Sequence, residues 1–172
     1  ADLDRVAARE KAQADDPTTP GTRLADWPLD ITPASVTSLI QLMTGGLHIA
    51  RPPWSPTSPN QGGVPLHCRL RYFDVEKRRA GVPQDVAALV HALGDASAEV
   101  TLVNLGKAPR TMVVQGGAWA EHRIESVTLD GIETRIGRPD FALRLEPGCG
   151  ARLKLAMRRF ANRPTLAFPW SR

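Results

Sequence analysis

Residues 98–117 read AEVTLVNLGKAPRTMVVQGG, and their reading decides the fold class. Apolar and polar side chains alternate with a period of two in AEVTLVNL, the spacing of a strand with one buried face. GKAP then supplies turn residues, and RTMVVQG resumes an extended pattern. The same rhythm continues downstream in IESVTLD, ETRIG, FALRLEP and ARLKLAM, separated by DG, GRPD and PGCG. Many short strands divided by such turns predict an antiparallel sandwich over residues 97–158. LDGIE at 129–133 is the clearest hairpin, because Asp-Gly suits a turn whose central residues need positive φ. Asn104 ends a strand before a turn, where its amide can bond loop backbone groups.

Upstream of residue 96 the composition differs. Nine of the fifteen prolines lie before Leu66. Residues 1–15 are rich in Ala, Arg, Lys and Glu and predict a helix that DDPTTPGT ends. A second helix is predicted after Thr32 and Pro33, with Val36, Leu39, Ile40 and Met43 on one face and Gly45 and Gly46 as its stop. ARPPWSPTSPNQGGVP at 50–65 is a loop, since its prolines cannot join a ladder. PLHCRLRYFD at 65–74 alternates and predicts a strand, with Leu66, Cys68, Leu70 and Tyr72 on one face. VPQDVAALVHALGD at 82–95 predicts a third helix, with Val86, Leu89, Val90 and Leu93 on its face. The expected chain is therefore mainly β with a helical N-terminal part. Residues 1–95 form an extension with one strand, and residues 96–172 form the sandwich and a tail.

Composition bounds the function classes. The chain has 172 residues, 42% of them apolar, enough for one domain with a core. Its 22 basic and 18 acidic residues leave a net charge of +4, spread along the chain and too mild to imply nucleic acid. No stretch approaches the ~20 apolar residues of a membrane span. Two cysteines, Cys68 and Cys149, are no disulfide framework, and reduced thiols fit a cytoplasmic setting. His67 and Cys68 are neighbours on a strand and point to opposite faces, and His48, His91 and His122 are scattered. No zinc-like spacing results, so neither a metal nor a cofactor is expected. The nucleotide-binding glycine motifs and the serine-hydrolase elbow have no match.

Three groups of residues are candidates for chemistry. In QGGAWAEH, residues 115–122, two glycines permit a corner beside a carboxylate and an imidazole. Glu121 and His122 could act there as acid and base. Alternatively Trp119 packs on the sandwich and Glu121 pairs with Arg110 or Arg123. Arg69 and Arg71 lie on one strand face, followed by Lys77, Arg78 and Arg79, and could hold an anion or pair with Asp74 and Glu76. Trp54 in the proline-rich loop and Trp119 could stack on a sugar ring. NRPTLAFPW at the C-terminus is too apolar to extend into water and should lie back on the protein.

The strand VTLVN before a short turn, and the PGCGARLKL lead into a last strand, resemble the C-terminal β-sandwich of large bacterial carbohydrate-active enzymes. Glycoside hydrolases and polysaccharide lyases with an α-helical toroid often close in this way. The resemblance implies a sandwich that is mainly structural or substrate-contacting, with catalytic residues largely outside the chain. A stand-alone binding module is the other reading. Apolar helix faces in the N-terminal part predict a second polypeptide, or an upstream part of the same gene product, as partner.

Overall fold

The structure, a computed structural model, describes Asp4, Ala8, residues 37–46 and residues 68–172. Asp4 and Ala8 are helical, as the reading of residues 1–15 expects. The rest of that stretch, Thr32, Pro33, Val36, the loop at 50–65 with Trp54, and His48 and His67 lie outside the described residues. The chain divides into two compact units, Ala1–Ser38 and Leu39–Arg172, and the second holds all the strands among the described residues.

Among the described residues, helix α1 spans Thr37–Thr44. Nine strands follow: β1 (Leu70–Asp74), β2 (Arg79–Ala80), β3 (Val86–Gly94), β4 (Ser97–Asn104), β5 (Arg110–Gly116), β6 (Arg123–Leu129), β7 (Ile132–Arg138), β8 (Asp140–Leu145) and β9 (Gly150–Arg158). They form a four-stranded sheet, β2-β1-β5-β8, and a five-stranded sheet, β3-β4-β9-β6-β7. Every pairing is antiparallel. All six runs read as strands from residue 98 onward are strands β4 to β9.

The two sheets share one core. Leu70, Tyr72, Met112, Val114, Phe141 and Leu145 come from the first sheet. Val100, Leu102, Ile124, Leu153 and Leu155 are among those from the second. β4 and β9 alternate buried and more exposed residues along their length, as strands with one wet face do. In the β6–β7 hairpin Asp130 and Gly131 have φ of 51° and 81°, the pair of positive values that a type I′ turn requires. Asn104 is fully buried and donates from Nδ2 to the carbonyls of Ala108 (2.8 Å), Leu145 (3.2 Å) and Glu146 (3.3 Å). It thereby ties the end of β4 to the β8–β9 turn, across the two sheets.

The helix expected over 83–93 is strand β3, which pairs with β4 from Val86↔Asn104 to Gly94↔Ser97. Val86, Ala88 and Val90 face the core, while Leu89 and Leu93 are exposed. Spacings of two and of three to four both fit this segment, because alanine is neutral to either. Long-range pairing with β4 decides. The sheets therefore draw strands from both sides of residue 96. The helix before Gly45 is present, and Gly45 ends it with a φ of 62°. A Cβ at Gly45 would lie 3.0 Å from Leu93 Cδ2 and 3.1 Å from Val90 Cγ1, so the position also needs a small residue. The Tyr72 hydroxyl donates to the Met43 carbonyl at 2.6 Å and fixes the end of α1 against the sandwich. Leu39, Ile40 and Leu42 on α1 are exposed.

Candidate functional site

The corner after β5 forms because Gly116 and Gly117 let the chain turn. Gly117 has φ 83°, and a Cβ there would collide with the Glu121 carboxylate. A Cβ on Gly116 would lie 3.0 Å from the His122 carbonyl oxygen. The His122 amide returns to the Gly116 carbonyl at 3.2 Å and closes the loop. Ala120 holds φ 61°, a strained value for a residue with a Cβ. The segment is a compact turn, so strand alternation fails there. Glu121 and His122 come together there.

Both side chains are buried, with residue exposures of 4% and 2%. Glu121 Oε2 accepts the Trp119 amide at 2.7 Å. Its Oε1 lies 3.9 Å from His122 Nε2. The expected arginine partners are engaged elsewhere: Arg123 with Glu125 at 2.6 Å, and Arg110 with Glu76 and Asp85 at 3.6 Å each. His122 Nδ1 accepts the Phe160 amide at 3.1 Å, and the Phe160 ring meets the imidazole edge-on at 4.8 Å. Burial pushes the imidazole below the usual histidine range. The Glu121 carboxylate opposes that shift, and the Arg69 and Arg159 charges add to it.

The Trp119 and Arg71 side chains join this corner, whereas Arg69 meets it through its carbonyl, which accepts the Gly117 amide at 2.9 Å. Arg71 Nη1 donates to the Ala118 carbonyl at 2.8 Å. Its guanidinium carbon lies 5.0 Å from the Phe73 ring centre and 5.6 Å from that of Trp119. Arg69 reaches away to the carbonyls of Gly94 (3.0 Å) and Asp95 (3.4 Å) at the β3–β4 hairpin. Within the basic group Arg79 pairs with Asp74 at 3.3 Å, one of the pairings expected for it. Trp54 lies outside the described residues. Cys68 and Cys149 are free thiols, and burial pushes the Cys68 thiol up to about 11, so it is protonated and unreactive at neutral pH. Among the described residues no three of His, Cys, Asp and Glu come together in a way that could hold a metal.

The composition of the corner was legible in the sequence, but its lid was not. Residues 160–165, about forty positions downstream, supply that lid. The Asn162 amide donates to the Glu121 carbonyl at 3.2 Å, Asn162 Nδ2 to the Ala120 carbonyl at 3.0 Å, and the Thr165 amide to the Trp119 carbonyl at 2.9 Å. Further along, Phe168 and Trp170 stack at 5.1 Å and meet the Phe73 ring edge-on at 5.6 and 5.9 Å. Arg172 Nη2 donates to Gln115 Oε1 at 3.0 Å and to the Asp140 carboxylate. The tail thus lies back on the protein, against the outer face of the four-stranded sheet. The available signal was its run of apolar aromatics, which named the need for a cover and not its address.

No protein-family model and no curated protein matches this chain. A solved structure from Bacillus halodurans, assigned as an α-N-acetylgalactosaminidase, resembles part of it with a TM-score of 0.37 and 19% identity. The match covers 52% of this chain and 21% of that one. The chain thus spans about a fifth of the length of that enzyme, and at this score the match is loose.

Proposed function

We propose that this chain is a β-sandwich part of a larger enzyme that acts on carbohydrate, by hydrolysis or elimination. In this reading the sandwich is mainly structural or substrate-contacting, and the catalytic residues lie largely outside it. The observation that carries the reading is the state of Glu121 and His122. His122 spends its ring lone pair on the Phe160 amide, Glu121 Oε2 accepts the Trp119 amide, and both residues are buried beneath the 160–165 segment. A general acid or base must come within hydrogen-bond reach of a substrate proton. The carbohydrate assignment is supported by the resemblance of VTLVN and PGCGARLKL to the closing sandwich of such enzymes. Where the sandwich touches substrate, the half-buried Trp119 offers a ring face, with Arg71 beside it as a cation. The exposed Leu39, Ile40 and Leu42 on α1 suit cover by a second polypeptide or by an upstream part of the same gene product.

The test assays this chain, and the product of the uninterrupted reading frame that contains it, on a panel of polysaccharides. Reducing-sugar release reports hydrolysis, and ultraviolet absorbance of unsaturated ends reports elimination. Activity is expected only in the longer product. There, Glu121→Gln and His122→Asn should leave kcat unchanged. Glu121→Gln should cost about 1–3 kcal/mol of stability, because it replaces the charged acceptor of the part-buried Trp119 amide with a neutral one. Activity in this chain alone that either substitution abolishes, with the fold intact, would overturn the proposal.

A further inference from the structure

The segment from Arg159 to Arg172 is held at three places. Aromatic packing on Phe73 and the Arg172 clasp hold its far end. Asn162 and Thr165 hold its middle through backbone carbonyls of the corner. At its near end, the Phe160 amide is held by the Nδ1 lone pair of His122. This last anchor differs in kind. An imidazole nitrogen can accept only while it carries no proton. With Nδ1 accepting, neutral His122 carries its proton on Nε2, on the side of Glu121 Oε1. A second proton must go to Nδ1, where it would point at the Phe160 amide. Two donors would then face each other at a part-buried contact whose imidazole is almost fully covered.

We propose that His122 is a pH-sensitive clasp: its protonation at Nδ1 ejects the Phe160 amide and loosens the 159–165 segment from the corner, weakening the cover over the outer face of the four-stranded sheet. The proposal is independent of the carbohydrate reading.

Several charged groups act on the imidazole. Glu121, on its own corner, favours the charged form. Arg69, just before β1, and Arg159, on the tail itself, disfavour it. Cys68 lies close enough to Glu121 to feel its charge, but its thiol is neutral at the relevant pH. Burial outweighs the Glu121 attraction, so the docked imidazole holds its proton less well than a free one. The sign follows from that direction. Above about pH 6.5, the ordinary histidine value, His122 is neutral in docked and released forms, and docking is at full strength. Below it, the released form takes up a proton that the docked form refuses. Docking then weakens by up to about tenfold per pH unit, until the docked form is protonated too.

The test is an NMR titration of the whole chain from about pH 8 to pH 5. It follows the ring nitrogens of His122 and the exchange protection of the Phe160, Asn162 and Thr165 amides, corrected for the intrinsic pH dependence of exchange. At the start, Nδ1 should be the unprotonated nitrogen. On acidification, protection at these three amides should fall by up to about tenfold per unit, in step with the His122 titration, while β9 amides keep theirs. His122→Asn places an amide oxygen near the Nδ1 position without a titrating proton. It should retain the protection and flatten its pH dependence. The proposal fails if Nδ1 carries the proton at pH 8, or if protection stays flat through the His122 titration. It also fails if folded His122→Asn keeps the wild-type pH profile. Should that variant not fold, the wild-type titration decides alone.

Discussion

Phe73 and Leu89 stand at comparable places on opposite sides of the sandwich. Each points outward from its own sheet, away from the shared core. Phe73 is 1% exposed and Leu89 45%. The difference lies in what covers each sheet. On the four-stranded sheet, the outward row Phe73–Val113–Ala142 runs beside the row Arg71–Gln115–Asp140. The tail lies there, with Phe168 and Trp170 on Phe73 and Arg172 on Gln115 and Asp140. On the five-stranded sheet, the corresponding rows carry Thr101 and Arg152, then Glu99, Lys154, Thr128 and Glu133. Arg152, Lys154 and Glu133 are exposed, Thr101, Glu99 and Thr128 are half-buried, and four of the six are charged. Strict alternation therefore marks only a sheet with one wet face. β9 obeys it, whereas β5 is buried from Met112 to Gly116 on both sides.

The comparison breaks most directly at those two outward positions. Phe73→Ala should lower the unfolding free energy by about 3–5 kcal/mol, the range for truncating a buried aromatic. Leu89→Ala should stay within about 1 kcal/mol, as a partly exposed surface change does. Urea unfolding of both variants measures the contrast. Equal costs would mean that the tail gives Phe73 no more cover than solvent gives Leu89.

A smaller effect is expected from Arg172. Its guanidinium satisfies Gln115 Oε1, and Gln115 is 1% exposed. Gln115 Nε2 is already committed to the Gly117 carbonyl at 3.0 Å and that of Ala118 at 3.3 Å, so the amide cannot turn to find another donor. Arg172→Ala should therefore cost about 1–2 kcal/mol, the penalty of an orphaned buried acceptor that some water can reach. Arg172→Lys should recover only part of this: both bonds leave from the single Nη2, and a lysine nitrogen, itself a multiple donor, sits one bond nearer the backbone. Full recovery by lysine would reduce this clasp to simple charge attraction.

What could be read in the sequence follows the same division between the two faces. Wherever a strand has one wet face, local periodicity suffices, as in Ala98 to Asn104 and Ala151 to Met157. The Asp130-Gly131 turn is equally local. Reading failed where a distant segment sets the environment. Val86 to Leu93 carries apolar residues at both helical and strand spacing, and only the partner β4 chooses between them. In the corner, Gly116 and Gly117 announced a bend with Glu121 and His122 in it. That Phe160 and Asn162 would occupy their neighbourhood is a contact across about forty residues, and no short-range pattern encodes it. Arg69 and Arg71 share a strand-like spacing, yet one guanidinium serves the β3–β4 hairpin and the other the corner.

The smallest effect is expected on the open face. Arg152 Nη2 donates to Glu99 Oε2 at 3.1 Å, with His91 Nε2 at 3.5 Å from the same oxygen. The Arg152 hydrogen bond holds the Glu99 carboxyl below its usual range. Partial desolvation opposes this, and the charges of Arg152, Lys154 and His91 add to the lowering. A depressed carboxylate contributes stability above its unfolded value, about 4.3, and loses it as pH falls through the folded one. The Arg152 side chain is exposed, and water and salt screen the pair. Arg152→Ala should thus leave the urea midpoint at neutral pH unchanged within error. Its signature should appear only in the Glu99 titration followed by NMR, which should move up toward the ordinary glutamate value. High salt should move the wild-type titration the same way and affect the variant less. A loss of stability comparable to that of Phe73→Ala would mean that this face is not solvated, and the contrast between the two sheets would fall.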